Sequence, residues 1–356
     1  VLLSQITPSG FYRLDGDFLN KYFIVSSPGT RKLMASPEVI GLDAYRAMVP
    51  VTIDALHYLK DRDSRSLDRV NILTILRGGL NYPLEESCFE CGITVSDMSF
   101  LSCERVIENG FITGLEVKYE KLHTEKDAVI MIGDIIASGA TLRHCLKYVF
   151  DAFKVAGHNI RKFIFFTVGG TKAIKMMEEF TVKFREQWPG FEGFECVFYE
   201  GVFTVWEDNG VTGESTPDID FGWNGGVVSP EFREYVMDYA YAPALLEKCI
   251  IYDGGARRYN IGSHVEEVID FWERLEAAAE RVPYADFLAE KFGYPAGVTY
   301  RKWLEYLHYP ADRDLSGLYE KEMKYASRLL EKPLVEICRE RLSQLKYDFS
   351  KYIIHQ

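Results

Sequence analysis

Positive charge is scarce in this chain of 356 residues: 41 Lys and Arg stand against 53 Asp and Glu, a formal net charge of −12. That excess works against nonspecific affinity for a phosphate backbone, so no nucleic-acid partner is expected, while a local basic pocket for one small anion is still compatible with it. Long hydrophobic runs are missing as well. No apolar stretch approaches the roughly 20 residues that cross a bilayer. The opening VLLSQITPSGFYRLDGDF has neither a basic start nor a small-residue cleavage site. The expectation is a cytoplasmic enzyme or binding protein with no membrane partner. Seven scattered cysteines, an odd number, do not make a secreted disulfide scaffold. Cys88 and Cys91 form a C-x-x-C with no second pair to complete a zinc site, and read as a core or half-buried helical pair. Seven histidines occur without H-E-x-x-H spacing, so no protein-built catalytic zinc is expected, and no Ser-His-Asp or Cys-His set stands out.

What the chain does contain is a repeated strand, tight loop and helix. VNILTIL (Val70 to Leu76) is a short buried strand, RGG a tight loop, and PLEESCFECG a helix opening at Pro83 and closing at Gly92. ITVSDMSFLSC reads as a strand, ERVIENGFITG as a polar glycine-bearing loop and LEVKYEKL as a further extended piece. AVIMIGDI is a strongly apolar strand followed by the helix TLRHCLKYVFDAFKVAG; NIRKFIFFTVGG and TKAIKMMEEFTVKF repeat the pattern. Uniformly apolar strands alternating with helices predict an α/β fold, a largely parallel sheet flanked by helices. Ligands of such sheets collect beyond the carboxyl ends of the strands, where RGG, ASGAT and TVGG lie. The expected division is an N-terminal helical or hood segment over 1–60, an α/β domain over 61–210, and a mainly helical C-terminal region over 211–356. The first carries a helix over Ala44 to Leu59 despite Pro50, and the last the apolar stripe Val265, Ile269, Trp272 and Leu275.

The segment VIMIGDIIASGATL, Val129 to Leu142, carries the functional signal. A phosphate is held well by backbone N–H groups converging from a tight loop and the first turn of a helix, and large side chains would block its approach. In Ala137, Ser138, Gly139, Ala140 and Thr141 the glycine permits an unusual dihedral, the alanines keep the rim low, and two hydroxyls can donate further hydrogen bonds. The alternative is a small-residue turn with Thr141 capping the helix. Asp134, at the strand end, is placed to accept from vicinal sugar hydroxyls. No Lys follows the glycine, so this is not a Walker A loop and transfer of a nucleotide γ-phosphate is not supported.

VIMIGDIIASGATL resembles the phosphoribosyl-diphosphate (PRPP) signature of the type I phosphoribosyltransferases, and the upstream L76-R-G-G-L80 is similar to that family's diphosphate-binding loop. Together they cover about residues 65 to 175. The resemblance implies that Ala137 to Thr141 cradle the 5-phosphate, that Asp134 contacts ribose hydroxyls and is a direct or water-mediated partner of Mg²⁺, and that Arg77, Gly78 and Gly79 approach the diphosphate. It places a mobile loop within Glu104 to Lys118, making Arg105 and Lys118 candidates for diphosphate contact, though surface charges are the alternative. Catalysis would then rest on Asp134, Arg77, Arg105 and Lys118. The sequence departs from the family at Gly133, where an acid is usual. One missing charge-assisted hydrogen bond costs about 1.5–3 kcal/mol, roughly tenfold to a hundredfold in stabilisation.

The implied activity is transfer of a phosphoribosyl group from PRPP to a nitrogenous base or related amine, releasing diphosphate. Two alternatives stand beside it: a noncatalytic sensor of PRPP or a nucleotide, and a hydrolase or phosphorylase of an N-riboside 5-phosphate. For the small nitrogenous acceptor, Phe166 and Trp206 are stacking candidates, with Phe203 and the acid pair Glu207 and Asp208 nearby in sequence. G254-G-A-R-R258 offers another anion contact or a plain turn, and His144 sits in the first turns of the helix after ASGAT. The C-terminal helices could form a hood, a partner-binding module or a homodimer surface.

Overall fold

The computed structural model describes residues 1–7, 10–63, 65–108, 111–137, 139–205, 221–238, 246 and 258–352, without the side chains of 105–114, 205 and 221–225. Among these residues no helix is long and apolar enough to cross a membrane.

Ten strands form one mixed sheet. The first sixty residues supply β1 (Leu2–Thr7), β2 (Phe11–Asp15) and β3 (Lys21–Val25), then α1 (Pro28–Ala35) and α2 (Leu42–Arg62). The expected helical segment therefore contributes an edge of the sheet as well. Each of its strands is only five or six residues long, too short for a periodic pattern to stand out. α2 continues through Pro50, as its apolar spacing predicted.

The central unit comprises β4 (Arg69–Ile75), α3 (Leu84–Glu90), β5 (Thr94–Glu108), β6 (Phe111–Lys121), β7 (Ala128–Ile136), α4 (Ala140–Ala156), β8 (Ile160–Gly170), α5 (Thr171–Gln187) and β9 (Gly193–Val205). The strand order is β1-β2-β3-β9-β8-β7-β4-β5-β6. The six strands from β3 to β5 are parallel, and the edges are antiparallel. The sheet is thus mixed, with the predicted parallel part at its centre. Where a polar loop is expected over ERVIENGFITG, the described residues pair as a β-ribbon, with Cys103 opposite Val117 and Glu108 opposite Phe111. Cross-strand pairing satisfies the backbone there, which local polarity does not reveal.

Helices cover both faces. Thr52 of α2 hydrogen-bonds Tyr199 of β9 at 2.8 Å, and Cys88 of α3 touches Met131 of β7 at 3.7 Å between sulfurs. On the other face Phe184 of α5 packs its ring 5.1 Å from Phe150 of α4 and 5.5 Å from Phe163 of β8. Residues such as Ile130, Ile132, Phe163 and Phe165 are fully buried between these layers, the reason the strands read as continuous apolar runs. Cys88 and Cys91 lie in the core, as read from the sequence.

Beyond residue 211 the chain first returns to the sheet: β10 (Phe221–Val228) pairs antiparallel with the end of β9. The described residues that follow form the helices α6 (Pro230–Asp238), α7 (Ile261–Ala278), α8 (Tyr284–Phe292), α9 (Tyr300–Tyr306), α10 (Ser316–Leu330) and α11 (Leu334–Asp348). Val265, Trp272 and Leu275 are buried in α7, with Ile269 at its margin. The helices are fastened to one another by a buried ion pair, Arg233 Nε to Glu322 Oε1 at 2.6 Å, whose other carboxylate oxygen also accepts from Tyr294 (2.6 Å) and Trp303 (2.8 Å). A buried charge pair is tolerated when its remaining atoms are satisfied in this way.

Candidate functional site

The chain leaves β4 through α3 toward β5 on one side and leaves β7 through α4 toward β8 on the other, although β4 and β7 are neighbours. Their diverging connections open a crevice at the carboxyl ends, the place where open α/β sheets bind ligands. The two loops at that crevice are Leu76 to Leu80 and Ala137 to Thr141, the pair singled out in the sequence.

The first loop begins with a cis peptide bond between Leu76 and Arg77. Arg77 is exposed, and Gly78 and Gly79 have φ of 83° and 146°, values that side-chain-bearing residues avoid. Asn81, which the sequence reading passed over, knits the loop together. Its carbonyl accepts from the Gly79 N–H at 2.7 Å and its amide donates to Thr74 at 3.0 Å. An Asn two residues after a glycine pair is a turn-forming signal that could have drawn attention to it. With Asn81 holding Gly79, the backbone is directed down onto β7.

That descent explains Gly133. A Cβ there would lie 2.4 Å from the Leu80 carbonyl oxygen and 2.6 Å from the Asn81 nitrogen, far inside contact distance. The acid expected from the family pattern has no room, because the backbone of the first loop occupies its space. The departure is therefore a feature of the loop's packing as well as a lost carboxylate.

Asp134 points the other way, since alternate residues of a strand face opposite sides. It stands beside Thr167 of β8 in register, at the start of the α4 face, and is half-buried. The Ile135 N–H donates to its Oδ1 at 2.9 Å. Desolvation pushes its pKa up to about 7, and the Ile135 hydrogen bond only partly opposes this.

In the second loop Ala137 is buried, Ala140 exposed and Thr141 half-buried, while Ser138 lies outside the described residues. Gly139 is the N-cap of α4 in the left-handed region, φ 76°, and it supplies no capping side chain. The cap is thus Gly139 and not Thr141. Beside the loop, Arg143, Lys147 and Lys183 line a groove of about 440 Å³ between α4 and α5, together with Phe180 and Glu179, the last ion-paired with Arg143 at 2.8 Å. This is a local basic surface on an acidic chain.

Other sequence candidates fall elsewhere. The Lys118 amine is on Glu116 at 2.8 Å on an exposed stretch of the ribbon, and the Arg105 side chain lies outside the described residues. Phe166 is fully buried with its ring 6.3 Å from that of Tyr199, and Phe203 is buried too, so neither presents a face for a base. Strand alternation had placed both on core faces of the sheet, which a local reading of the strand end did not resolve. Trp206, Glu207, Asp208 and Gly254 to Arg257 lie outside the described residues. Arg258 is buried and donates to the carbonyls of Ser36 (2.7 Å), Val39 (2.9 Å) and Leu33 (2.8 Å), ending α1 and not holding an anion. His144 is half-buried on α4.

Among the described residues no group of three His, Cys, Asp or Glu side chains is placed to hold a metal ion. The lone, partly desolvated Asp134 carboxylate suits a hard cation that keeps most of its ligands from substrate and water, as Mg²⁺ does.

No family model matches the chain, and no curated protein matches it. Solved structures do. The AQ2163 protein of Aquifex aeolicus is 16% identical over 49% of this chain and 86% of its own, with a TM-score of 0.33. A hypoxanthine phosphoribosyltransferase of Staphylococcus aureus is 14% identical over 36% of this chain and 65% of its own, with a TM-score of 0.26. A purine phosphoribosyltransferase of Pyrococcus horikoshii Ot3 is 18% identical over 35% of this chain and 72% of its own, with a TM-score of 0.25. The likeness to phosphoribosyltransferases is partial in every case.

Proposed function

We propose that the protein binds PRPP in the crevice between β4 and β7 and transfers its phosphoribosyl group to a nitrogenous acceptor, releasing diphosphate. The observation that carries this reading is the meeting, at one topological switch point, of an exposed Arg and two positive-φ glycines on one strand end with a carboxylate and a glycine-opened helix on the next. The 5-phosphate would lie over Gly139 at the α4 N-terminus, where backbone N–H groups and the helix field favour an anion. Asp134 would accept from the ribose hydroxyls, and those donors would draw its pKa down again. Arg77 would meet the diphosphate as charge develops on the leaving group; interactions that strengthen at that stage are the ones that accelerate the reaction. Mg²⁺ bound with the diphosphate would neutralise part of its charge.

The packing at Gly133 favours a second reading: a protein that binds PRPP as a signal without turning it over. One assay separates the two. The parent protein is given PRPP, Mg²⁺ and a panel of amines and nucleobases, with mass detection of phosphoribosyl products. Acceptor-dependent diphosphate release supports the transferase; tight PRPP binding with no product for any acceptor supports the sensor. Absence of both removes the PRPP reading. In either case Arg77→Ala should weaken PRPP by tenfold or more while changing ribose 5-phosphate little, because only PRPP carries the diphosphate.

A further inference from the structure

Two thiols that the proposed chemistry does not use lie against each other between β5 and α4. Cys103 is on β5 where the ribbon begins, and Cys145 is in the second turn of α4; their sulfurs are 3.4 Å apart. Both are free. Their surroundings differ in a useful way: Cys103 is only partly buried, whereas Cys145 is fully buried.

We propose that Cys103 and Cys145 form a reversible disulfide that switches the neighbouring anion site off. The hydrogen bond from Cys145 lowers the pKa of Cys103, and that same bond, with burial, raises the pKa of Cys145. Cys103 is thus the accessible, more readily ionised thiol that attacks first, and Cys145 the thiol that resolves it. With a hydroperoxide as oxidant, the Cys103 thiolate attacks the terminal oxygen, the O–O bond breaks, and the alcohol or water leaves with the proton. Cys145 sulfur then attacks the Cys103 sulfenic acid, the S–O bond breaks and water departs. Two thiols and one peroxide give one disulfide, one water and one alcohol or second water. A dithiol reductant reverses the bond by exchange.

The consequence follows from distance. A disulfide holds its sulfurs about 2.0 Å apart, so closing the 3.4 Å gap ties the second turn of α4 covalently to β5. Gly139 and Thr141 lie on the preceding turn of the same helix, so the cross-link fixes the helix end that would hold the anion. This part rests on the proposed PRPP reading; the disulfide itself does not.

The test uses the full chain, reduced or treated with one to a few equivalents of hydrogen peroxide. Peptide mapping without reductant should yield one dominant cross-linked pair, Cys103 with Cys145, lost on adding dithiothreitol. Cys145→Ser should leave a Cys103 sulfenic acid that a dimedone probe traps, and Cys103→Ser should yield no cross-link. Should a serine variant misfold, the mapping of the parent protein decides alone. PRPP affinity should fall at least tenfold in the oxidised chain and recover on reduction. Free Cys103 and Cys145 after peroxide, with oxidation at other cysteines, overturns the disulfide. A quantitative cross-link with unchanged PRPP affinity overturns the switch. Failure of the reduced chain to bind PRPP refutes the functional reading and leaves the mapped cross-link standing.

Discussion

Replacing Asp134 by Asn should make the protein more stable and its site inactive, and the pH at which the first effect appears can be worked out. Burial raises the Asp134 pKa from 3.8 to about 7, so the folded state holds this proton more tightly than the unfolded chain does. The stability that protonation supplies is complete below the unfolded pKa and is lost as pH rises through about 7. Above that, keeping the group ionised in the fold costs about 3 pKa units, at most about 4 kcal/mol; the water that reaches a half-buried carboxylate reduces this to about 2 kcal/mol. Asn, of nearly the same shape, carries no such cost. Urea titrations of parent and variant should therefore coincide near pH 3.5 and diverge from pH 4 to 7. At pH 8 the variant should be about 2 kcal/mol more stable. Calorimetry at pH 8 should find Mg²⁺-dependent PRPP binding reduced by tenfold or more in that same variant. Stability gained where binding is lost is the mark of a group kept for a ligand. A variant less stable than its parent at pH 8, or a difference independent of pH, would refute the reasoning and make Asp134 a satisfied structural carboxylate.

Other outcomes follow from the packing of the two loops. Gly133→Asp, which restores the family's usual acid, should lower stability by about 1–3 kcal/mol and add no diphosphate release, because its Cβ meets the Leu80 carbonyl at 2.4 Å; denaturant titration and a turnover assay check both halves. Gly139→Val should cost about 1–2 kcal/mol from its left-handed backbone and weaken any 5-phosphoribosyl ligand, and unchanged affinity in the folded variant would take this loop out of the site. Asn81→Ala should leave the Gly79 N–H and the Thr74 hydroxyl without their partner, at about 1–3 kcal/mol, with faster hydrogen exchange at Gly79 and a weaker PRPP interaction as the readouts. In the parent protein PRPP affinity should rise up to about tenfold per pH unit below 7 and level off above it, since the bound form requires ionised Asp134.

The sequence by itself determined the parts in which neighbouring residues carry the signal. Continuous apolar strands such as VIMIGDI, helix spacing through Leu142, Leu146, Val149 and Phe153, and the small residues around Gly139 are local patterns, and each element they predict is present. So is the helical region after residue 260, whose amphipathic stripe faces its own core. What only the tertiary structure decided is everything set by pairing across long separations. The stretch ERVIENGFITG looks like a polar loop because the cross-strand partners of its described residues, such as Phe111 for Glu108, are not labelled in the sequence. Gly133 reads as a missing carboxylate until the Leu80 backbone, fifty-three residues earlier, is found against it. Arg258 reads as an anion contact until it is found capping α1, more than two hundred residues away. Phe166 reads as a platform for a base until the sheet buries it against Tyr199. A side chain's type is written in the chain, but whether it meets solvent, a ligand or a distant carbonyl depends on which strands become neighbours, and that is a property of the whole fold.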